Sequence, residues 1–407
     1  MLDLDPEEVA KLPRYPVARR CPYEVPEVYT RLRAEEPVSK VVMSDGQPVW
    51  FLSRYEDVRA VLSDSRFSAD RLADGFPNLA LGQREGLQKQ PKFMISMDGA
   101  EHSAVRRRII SDFSVRRVAE LRPRLQEIVD DTIDRVLGLP QPVDRVEELA
   151  LPVPTLLLAE LVGADHADHA YFIDLVHRML WRKTSGEERV EISIGLRKYF
   201  DDLIAEKEAN PGDDLISRQI ALQREENGEI DREGLNSLAQ LLLIAGYESS
   251  ASVIALGIYT FLTDPGFLAA IREDPTTTPV AVEELLRFYS ILDVAAGRVA
   301  LEDVEIGGVK IRAGDGVMAS VFAANRDPGI FPDPDSLDLR RGARHHVSFG
   351  YGPHQCLGQN LARLELQIVF DTLFERIPTL RLAVDEAELP FKYDALAFGL
   401  YALPVAW

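Results

Sequence analysis

The residue of this sequence best placed to do chemistry is Cys356, which lies in the glycine-rich segment 349–358. Gly350, Gly352 and Gly358 allow the backbone to enter the left-handed region and to approach a flat ligand closely. A helical pattern follows from Leu357, and N–H groups at a helix N-terminus favour the thiolate form of cysteine. Such a thiolate could serve as a nucleophile or as a metal ligand, whereas most lone cysteines are inert packing residues.

A carboxyl and a hydroxyl side chain lie close together in the most apolar long stretch of the chain. Ala245, Glu248 and Ser249 are spaced i, i+3 and i+4, so a helix places them on one face. Gly246 costs about 1 kcal/mol in a helix interior, which indicates that this position requires space or a local groove. The alternative is that Glu248 is an ordinary solvated or ion-paired helix residue.

Two further pairs of charged residues have helical spacing. Glu284 and Arg287, at i and i+3, can form a bidentate ion pair, although pairs of this spacing are mostly weak surface pairs. His102 and Arg106, at i and i+4, follow Asp98, which is expected to cap their helix. Taken alone, this basic pair is most simply explained as a solvated helix face.

The pattern Phe-Gly-x-Gly-x-His-x-Cys-x-Gly at 349–358 resembles the haem-thiolate loop of the cytochrome P-450 monooxygenases. The resemblance extends over most of the chain, and it is strongest to soluble bacterial members that hydroxylate xenobiotics and secondary metabolites. It implies haem b (iron protoporphyrin IX) as the cofactor and Cys356 as the ligand of its iron, whose electron donation favours O–O cleavage. It also implies that Phe349 packs beside the sulfur and that His354 binds a haem propionate.

The resemblance gives a catalytic role to the polar residues of the apolar helix. It implies that Glu248 and Ser249 relay protons, with Ala245 beside them over the haem. The family usually has threonine where this chain has Ser249. Serine keeps the hydroxyl but lacks the methyl group that restricts the threonine rotamer, so the efficiency of the relay is the open point.

The charged pairs also receive roles from the resemblance. It implies that His102, Arg106 and Arg298 bind the haem propionates, which need cationic or N–H partners inside a protein. His346 is a weaker candidate for the same role. A separate structural cluster is expected deeper in the protein, formed by Glu284, Arg287 and Arg341, with Arg340 as the near competitor for the third member.

The resemblance implies an oxidoreductase that uses O2, and electrons from a separate ferredoxin and ferredoxin reductase, to hydroxylate or epoxidise a hydrophobic small molecule. A macrolide, terpenoid, steroid-like or xenobiotic compound would suit the apolar residues expected around it. The expected substrate contacts are Arg71, Ile244, Ile291, Leu292, Val294, Ala295 and Phe398. Three alternatives stay open: a haem-thiolate nitric oxide reductase that uses NADH directly, a non-catalytic haem-binding sensor, and a cysteine-nucleophile enzyme without haem.

The composition limits the possible partners. The 407 residues include 46 Lys and Arg against 66 Asp and Glu, a net charge of −20, which argues against nucleic acid and anionic membranes. Two cysteines cannot form a disulfide framework and no signal sequence is recognisable, so we expect a monomer in the cytoplasm. A local positive patch is nevertheless expected to attract an acidic ferredoxin. Its members are the arginines at 106–108 and 116–117 with Lys92, Arg340 and Arg344.

Hydrophobic periodicity indicates the elements that position these residues. A hairpin is predicted with strands at 38–42 and 49–52, and short strands at 304–318. Helices are predicted at 55–62, 100–110, 115–137, 153–162, 167–180, 187–208, 233–262, 280–289 and 361–376. The long loop at 65–96 is typical of a binding loop or lid. The pattern predicts a mainly α fold with minor β. The resemblance adds a single triangular cytochrome P-450-type domain over 1–407, with a long central helix over the haem.

Overall fold

The computed structural model describes the chain except residues 1, 3, 18, 79–83, 85–87, 89–91, 166–167, 181–183, 294–295 and 394. The protein is mainly helical with small β-sheets, which confirms the predicted fold class. Its residues form two compact units. The first unit comprises Met1–Val105, Glu283–Leu357 and Leu396–Phe398. The second comprises Arg106–Val282, Gly358–Ala395 and Gly399–Trp407. The single-domain organisation stays a prediction.

The first unit contains a five-stranded sheet in the order β1-β2-β8-β5-β3 and a two-stranded ladder of β6 and β7. The strands are β1 (Val38–Val42), β2 (Pro48–Leu52), β3 (Phe67–Ser68), β5 (Gly297–Ala300), β6 (Val304–Ile306), β7 (Val309–Ile311) and β8 (Gly316–Ala319). β1 and β2 form the predicted antiparallel hairpin, with Val38 opposite Leu52, and β2 continues in parallel with β8. β5 runs antiparallel to β8 and carries Arg298.

Both faces of this sheet are covered by apolar side chains. In β2, Trp50 and Leu52 belong to one core cluster, whereas Val49 and Phe51 belong to another. Successive side chains of a strand point to opposite faces, so the two clusters lie on opposite sides of the sheet. A strand that is apolar on both faces is typical of a buried sheet. The sheet therefore gives β5 a fixed position inside the first unit.

The helices of the first unit are short. They are α1 (Pro6–Lys11), α2 (Glu27–Glu35), α3 (Tyr55–Ser63) and α14 (Val321–Ala324), with 3₁₀ turns at Met94–Ser96 and Gly352–His354. Helices α4 (Gly99–Ile109) and α13 (Thr278–Tyr289) are divided between the two units. The first unit thus contains His102 of α4, Glu284 and Arg287 of α13, and the whole segment that leads to Cys356.

The second unit is built mainly from helices. They are α5 (Val115–Glu120), α6 (Arg122–Leu137), α7 (Pro152–Val162), α8 (His169–Leu180), α9 (Gly186–Ala209), α10 (Leu215–Asn227), α11 (Arg232–Thr263), α12 (Pro265–Glu273) and α15 (Gln359–Arg376). Short helical turns lie at Ile110–Phe113, Val146–Ala150, Pro275–Thr277 and Glu386–Glu388. A small sheet has the order β4-β10-β9, formed by β4 (Val143–Asp144), β9 (Arg381–Leu382) and β10 (Pro404–Ala406).

Helix α11 is the long helix that the apolar stretch predicts. It spans 32 residues and begins after Asp231, whose carboxylate accepts the Gly234 N–H at 2.8 Å. By length and composition it could cross a membrane, but 61% of its most apolar window is buried inside the protein, as expected of a core helix. Glycines allow close packing at two points: Gly246 faces Leu158 of α7, and Gly257 faces the ring of Phe370 of α15.

Candidate active site

The loop that carries Cys356 has the turn geometry its glycines require. The Cys356 N–H donates to the Phe349 carbonyl at 2.7 Å, which closes the loop. Gly350 and Gly352 have φ of +70° and +71°, in the left-handed region. A Cβ at Gly352 would lie 2.6 Å from the Leu62 carbonyl oxygen, so only glycine fits there. The Cys356 side chain is exposed, which leaves the thiol accessible to a ligand.

Two of the predicted propionate ligands lie side by side in the first unit. The rings of His102 and His354 stack with their centroids 4.1 Å apart and at 30°. His102 is buried on α4, and His354 Nε2 lies 3.9 Å from Asp98 Oδ1. Asp98 has the expected position before α4, but its carboxylate is used differently, since it accepts from the Ser68 hydroxyl and, at 2.9 Å, from the Ala69 N–H. The carboxylate therefore anchors the loop after β3.

Arg298 brings a buried cation to the same unit. Its Nη1 donates to the Gly297 carbonyl at 2.7 Å, and its side chain is buried. Burial lowers the pKa of Arg298 to about 10, Asp98 opposes this, and the neighbouring cation of Arg71 lowers the pKa further. Burial also lowers the pKa of Arg71. Arg71, expected as a substrate contact, is thus electrostatically coupled to the propionate candidate Arg298.

These residues fit a haem. An accessible thiol in a glycine-rich loop matches the single protein ligand that a haem-thiolate iron needs. Among the described residues, Arg298 has one acidic neighbour, Asp98, and one cationic neighbour, Arg71, and no acidic group acts appreciably on Arg71, so positive charge is in excess around the two guanidinium groups. An anion such as a propionate would be stabilised there, because a buried charge requires a partner. Arg106, the remaining propionate candidate, lies one helical turn after His102 and is half-buried.

His346 has a different partner from the one the sequence suggests. Its Nε2 lies 3.2 Å from Glu283 Oε2, and both side chains are buried. Its Nδ1 accepts the Ser348 N–H at 3.1 Å, and its ring lies 5.7 Å from the ring of Phe349. Both ring nitrogens of His346 therefore face groups of the protein itself, Nδ1 through a hydrogen bond and Nε2 at ion-pair distance from Glu283.

The structural cluster of the first unit has the geometry of a buried network. Arg287 donates from Nε and Nη2 to the two oxygens of Glu284, both at 2.7 Å, and neither side chain is exposed. Arg341 Nε reaches Glu284 Oε1 at 3.0 Å, whereas Arg340 is exposed. Arg287 also donates to the carbonyl of Asn325 at 2.8 Å. The network joins α13 to the irregular segment before the cysteine loop.

In the second unit, α11 holds the acid and the alcohol in defined positions. The Ser249 hydroxyl donates to the Ala245 carbonyl at 2.8 Å, one turn earlier on the helix. Glu248 Oε1 lies 3.1 Å from Lys392 Nζ, and both side chains are largely buried. Ala245 is exposed although most of α11 is buried, and Ile244 is half-buried. The hydroxyl oxygen keeps lone pairs with which it can accept a proton from another donor.

Gly246 serves helix packing. A Cβ at this position would lie 2.8 Å from Leu158 Cδ1 of α7, closer than side-chain carbons pack. The glycine therefore lets α11 approach α7. The position thus requires space, as expected from the sequence, and the local groove stays a prediction.

Two residues of this region are not suggested by any motif. Glu365 lies on α15, is 2% exposed, and has one oxygen, Oε1, without a hydrogen-bond partner among the described residues. Burial raises the pKa of Glu365 to about 8, although a hydrogen bond with the Ser250 side chain lowers it. Its signal in the sequence is a glutamate one residue after Leu364, in the apolar stripe of α15. Lys392 has no such signal, because it lies 144 residues from Glu248.

The expected substrate contacts divide between the two units. In the first unit, the Phe398 N–H donates to the Ile291 carbonyl at 2.9 Å, and Phe398 is buried while Ile291 and Leu292 are half-buried. The guanidinium of Arg19 lies 4.3 Å from the centre of the Phe398 ring. Val294 and Ala295 lie outside the described residues. Ile244 belongs to the second unit.

An accessible thiol on a glycine-rich loop, in a unit that also holds buried cations, defines a protein that binds haem through a thiolate. Comparison with known proteins agrees, because a model of the cytochrome P450 family matches residues 170–385. Vitamin D3 dihydroxylase of Streptomyces griseolus is 42% identical over 397 residues, covering 97% of this chain and 97% of that protein. The chain belongs to the cytochrome P450 family.

Solved structures of the family resemble the whole chain. The crystal structure of cytochrome P450 MoxA from Nonomuraea recticatena matches with a TM-score of 0.93 and 52% identity, covering 97% of this chain and 98% of that one. Mycinamicin VIII C21 methyl hydroxylase MycCI from Micromonospora griseorubida, bound to mycinamicin VIII, matches with a TM-score of 0.89 and 39% identity, covering 97% and 100%. The protein is an oxygen-incorporating oxidoreductase with haem as its cofactor. These relatives favour a monooxygenase over the nitric oxide reductase and sensor alternatives.

Proposed function

We propose that the protein hydroxylates or epoxidises a hydrophobic small molecule of the macrolide, terpenoid, steroid-like or xenobiotic class, using O2 and electrons from a separate ferredoxin and ferredoxin reductase. The observation that carries the proposal is the accessible Cys356 thiol in its closed glycine-rich loop. Relatives support the substrate class, since one is named for vitamin D3 and another is bound to mycinamicin VIII.

The haem supplies the activation of O2, so that one oxygen atom enters a C–H or C=C bond of the substrate. Cys356 binds the iron through its sulfur, and the hydrogen bond from its N–H to Phe349 holds the loop that presents the sulfur. His102, His354 and Arg298, with Arg106, hold the propionates. Arg71 adds positive charge next to Arg298.

Proton supply is the proposed role of Glu248 and Ser249. The Ser249 hydroxyl is held by the Ala245 carbonyl, and rotation about its Cα–Cβ bond releases it to donate elsewhere. Because serine lacks the methyl group of threonine, it has more than one accessible rotamer. Lys392 holds the Glu248 carboxylate by an ion pair of 3.1 Å. The helix thus carries a proton donor and a proton acceptor one residue apart.

Substrate binding rests on apolar contacts. Ile244, Ile291, Leu292 and Phe398, with Val294 and Ala295, are proposed to contact the substrate, whose burial provides most of the binding energy. Arg71 is also a candidate substrate contact. Because it is coupled to Arg298, a variant of Arg71 is needed to distinguish substrate binding from haem binding.

Electron supply by an acidic ferredoxin requires cations that the protein does not already neutralise. Arg108 pairs with Glu226 at 3.0 Å, Arg117 pairs with Asp213 at 2.9 Å, and Arg116 pairs with Glu120 at 3.3 Å. Arg107 is exposed on α4 and is the best candidate of this group. We propose that the protein acts as a monomer in the cytoplasm. We also propose that Arg107→Glu slows ferredoxin-dependent turnover while peroxide-driven turnover persists. Equal loss in both assays would exclude the docking role.

The defining experiment is reduction of the purified holoprotein under carbon monoxide. The wild type must show the red-shifted absorption band that gives the family its name, and Cys356→Ser must lose it. Titration with a library of hydrophobic compounds should then convert low-spin to high-spin iron for compounds that displace water from the iron. Rapid oxidation of NADH by the nitric oxide complex without a redox partner, or no product with any electron donor, would support the two alternatives instead.

A further inference from the structure

A buried pair of titratable residues, Glu283 and His346, lies next to the segment that leads into the cysteine loop. Glu283 is on α13, directly before the Glu284 of the structural network, and His346 lies on the segment that leads to Phe349. Their side chains are 4% and 0% exposed, and His346 Nε2 lies 3.2 Å from Glu283 Oε2. A carboxylate in such an environment requires a partner, because an isolated charge is costly to bury. The pair therefore links α13 to the entrance of the loop.

The hydrogen bonds of His346 define its tautomer. Its Nδ1 accepts the backbone N–H of Ser348 at 3.1 Å, so Nδ1 carries no proton. The proton of the neutral imidazole is then on Nε2, which faces Glu283. A carboxylate that orients a histidine through one ring nitrogen fixes what the other nitrogen can bind. Glu283 thus favours the form of His346 that can accept the Ser348 N–H.

Ser348 is held by two further hydrogen bonds. Its hydroxyl donates to the Leu286 carbonyl of α13 at 2.7 Å and accepts from Asn325 Nδ2 at 2.9 Å. The Asn325 side chain also accepts the Val347 N–H at 2.8 Å. Residues 346–348 are therefore fixed to the body of the first unit by polar contacts of both backbone and side chains. The Val347 carbonyl in turn accepts the Gly350 N–H of the cysteine loop at 2.8 Å.

The fixed segment is continuous with the loop that presents the sulfur. Phe349 follows Ser348 directly, and its carbonyl accepts the Cys356 N–H at 2.7 Å. Its ring lies 5.7 Å from the ring of His346. A displacement of Ser348 would therefore shift both the Phe349 ring and the acceptor that closes the cysteine loop.

We infer that Glu283 and His346 are positioning residues for the Cys356 thiolate. The inference rests on the proposed function, in which this sulfur binds the haem iron. The pair acts through Ser348 and Phe349, which hold the loop that would present the sulfur to the iron. Replacing a residue that orients a metal ligand without itself binding the metal typically changes metal affinity about 10- to 100-fold. Loss of the pair should therefore weaken thiolate ligation.

The test uses the holoprotein and follows the carbon monoxide band of the thiolate-bound form over time. His346→Leu and Glu283→Leu are expected to convert this band to that of the form without thiolate about 10- to 100-fold faster than the wild type does. Glu283→Gln keeps a polar oxygen facing Nε2 and should remain near the wild type. His346→Asn keeps an acceptor for the Ser348 N–H but loses the contact with Glu283, and should have an intermediate rate.

A control variant separates positioning from general loss of stability. Tyr29→Phe removes a buried hydroxyl of the same unit, which bonds Asp293 Oδ2 at 3.1 Å and no residue of the cysteine loop. It should lower thermal stability without accelerating loss of the band. If the leucine variants do not fold, Glu283→Gln and His346→Asn decide the question. A rate for His346→Asn equal to that of the wild type would overturn the inference. A wild-type holoprotein that never shows the band would overturn the proposed function instead.

Discussion

Lys392 Nζ lies 3.1 Å from Glu248 Oε1, with 11% and 20% of the two side chains exposed, so the proposed proton-supplying acid has a cationic partner within its own unit. The ammonium group lies 5.5 Å from the centre of the Tyr401 ring, and the Lys392 N–H donates to the Gly399 carbonyl at 2.8 Å. The lysine is thus fixed at both its backbone and its head group. Its effect on Glu248 is to hold the carboxylate in one orientation.

Replacing this lysine should reduce the coupling of electron consumption to product formation. Glu248→Gln removes the acid and is expected to slow ferredoxin-dependent turnover about 100-fold, the effect typical of losing a general acid. Lys392→Met leaves the acid but releases its carboxylate, so we expect a smaller loss of about tenfold. The measurements are the rate of product formation and the product formed per NADH consumed, with a ligand found by the spin-state titration as substrate.

Lys392→Arg is the matched control for this prediction, because it keeps the positive charge and can still pair with Glu248. Peroxide-driven turnover provides a second comparison, since it does not depend on electrons from the ferredoxin. If Lys392→Met impairs the peroxide-driven and the ferredoxin-driven reactions equally, the lysine has a structural role and does not act through Glu248.

The sequence predicts the parts of the fold that local patterns determine. The hairpin at 38–52 and the long helix near 233–262 form as expected, because one has apolar strands around a glycine turn and the other a long, predominantly apolar run. The predicted helix at 115–137 is instead two helices, α5 and α6. Pro123 is the second residue of α6, where its missing N–H costs no hydrogen bond, so the chain begins a new helix there.

Some helices have no counterpart among the predicted elements even though their start signals are present. Helices α10 and α12 begin after Asp214 and Asp264, whose carboxylates accept N–H groups of the first turn. Aspartate in this position is a common N-cap. The two helices are only 13 and 9 residues long, so a helical period extends over few turns in each of them. Helix α1 has a complete capping box at Asp5 and Glu8 and no buried residue.

The same division holds for the candidate site. Cys356, His354 and Phe349 lie in one short motif, so their arrangement follows from the loop. The partners of Glu248 and His346 are 144 and 63 positions away along the chain, and no local pattern marks such pairs. Arg71 is another case, since its electrostatic coupling to Arg298 depends on how the chain folds. Polar pairs between residues far apart in the sequence can therefore be identified only from the three-dimensional structure.

Arg71 provides a test that separates haem binding from substrate binding. Because its cation is coupled to that of Arg298, we expect Arg71→Gln to accelerate haem loss several-fold and to leave the affinity for a hydrophobic spin-shift ligand little changed. Arg298→Gln should have the larger effect, about 10- to 100-fold, since a hydrogen bond to a charged group contributes about 1.5–3 kcal/mol. The measurement is transfer of haem to an excess of a haem-binding acceptor protein.

Arg84→Gln is the control, because Arg84 lies in the same stretch of chain but binds Asp74 at 2.7 Å and the Leu72 carbonyl at 2.8 Å. Its replacement should not change haem loss. The opposite outcome for Arg71→Gln, a weaker ligand affinity with unchanged haem loss, would restore Arg71 as a substrate contact.

Glu365 should make the stability of the protein depend on pH. Burial raises its pKa to about 8 from an ordinary value of 4.5, so between these values the folded state holds a proton that the unfolded state has lost. The stabilisation is complete at low pH and is lost as the pH rises toward 8. The free energy of unfolding should fall by up to about 1.4 kcal/mol per pH unit from this group alone.

Urea unfolding of the holoprotein at several pH values between 5 and 8 measures this slope. Glu365→Gln cannot ionise and should unfold with a shallower dependence on pH. Asp371 also has a pKa raised by burial, so only the difference between wild type and variant isolates Glu365. Glu225→Gln, at an exposed position of α10 in the same unit, should leave the slope unchanged. A wild-type slope retained in Glu365→Gln would show that Glu365 is ionised in the folded protein.

Gly246 allows a prediction in which two physical effects oppose each other. Gly246→Ala gains about 1 kcal/mol of helix propensity but places a Cβ 2.8 Å from Leu158 Cδ1. Overpacking of this kind costs about 1–3 kcal/mol, so the variant should be less stable than the wild type. In a Leu158→Ala background the obstruction is absent, and the same substitution should become stabilising. This reversal of sign, measured as a double-mutant cycle by urea unfolding, identifies the contact. If instead Gly246→Ala changes the spin state of the iron with unaltered stability in both backgrounds, the glycine keeps a groove open near the haem, as the sequence suggests.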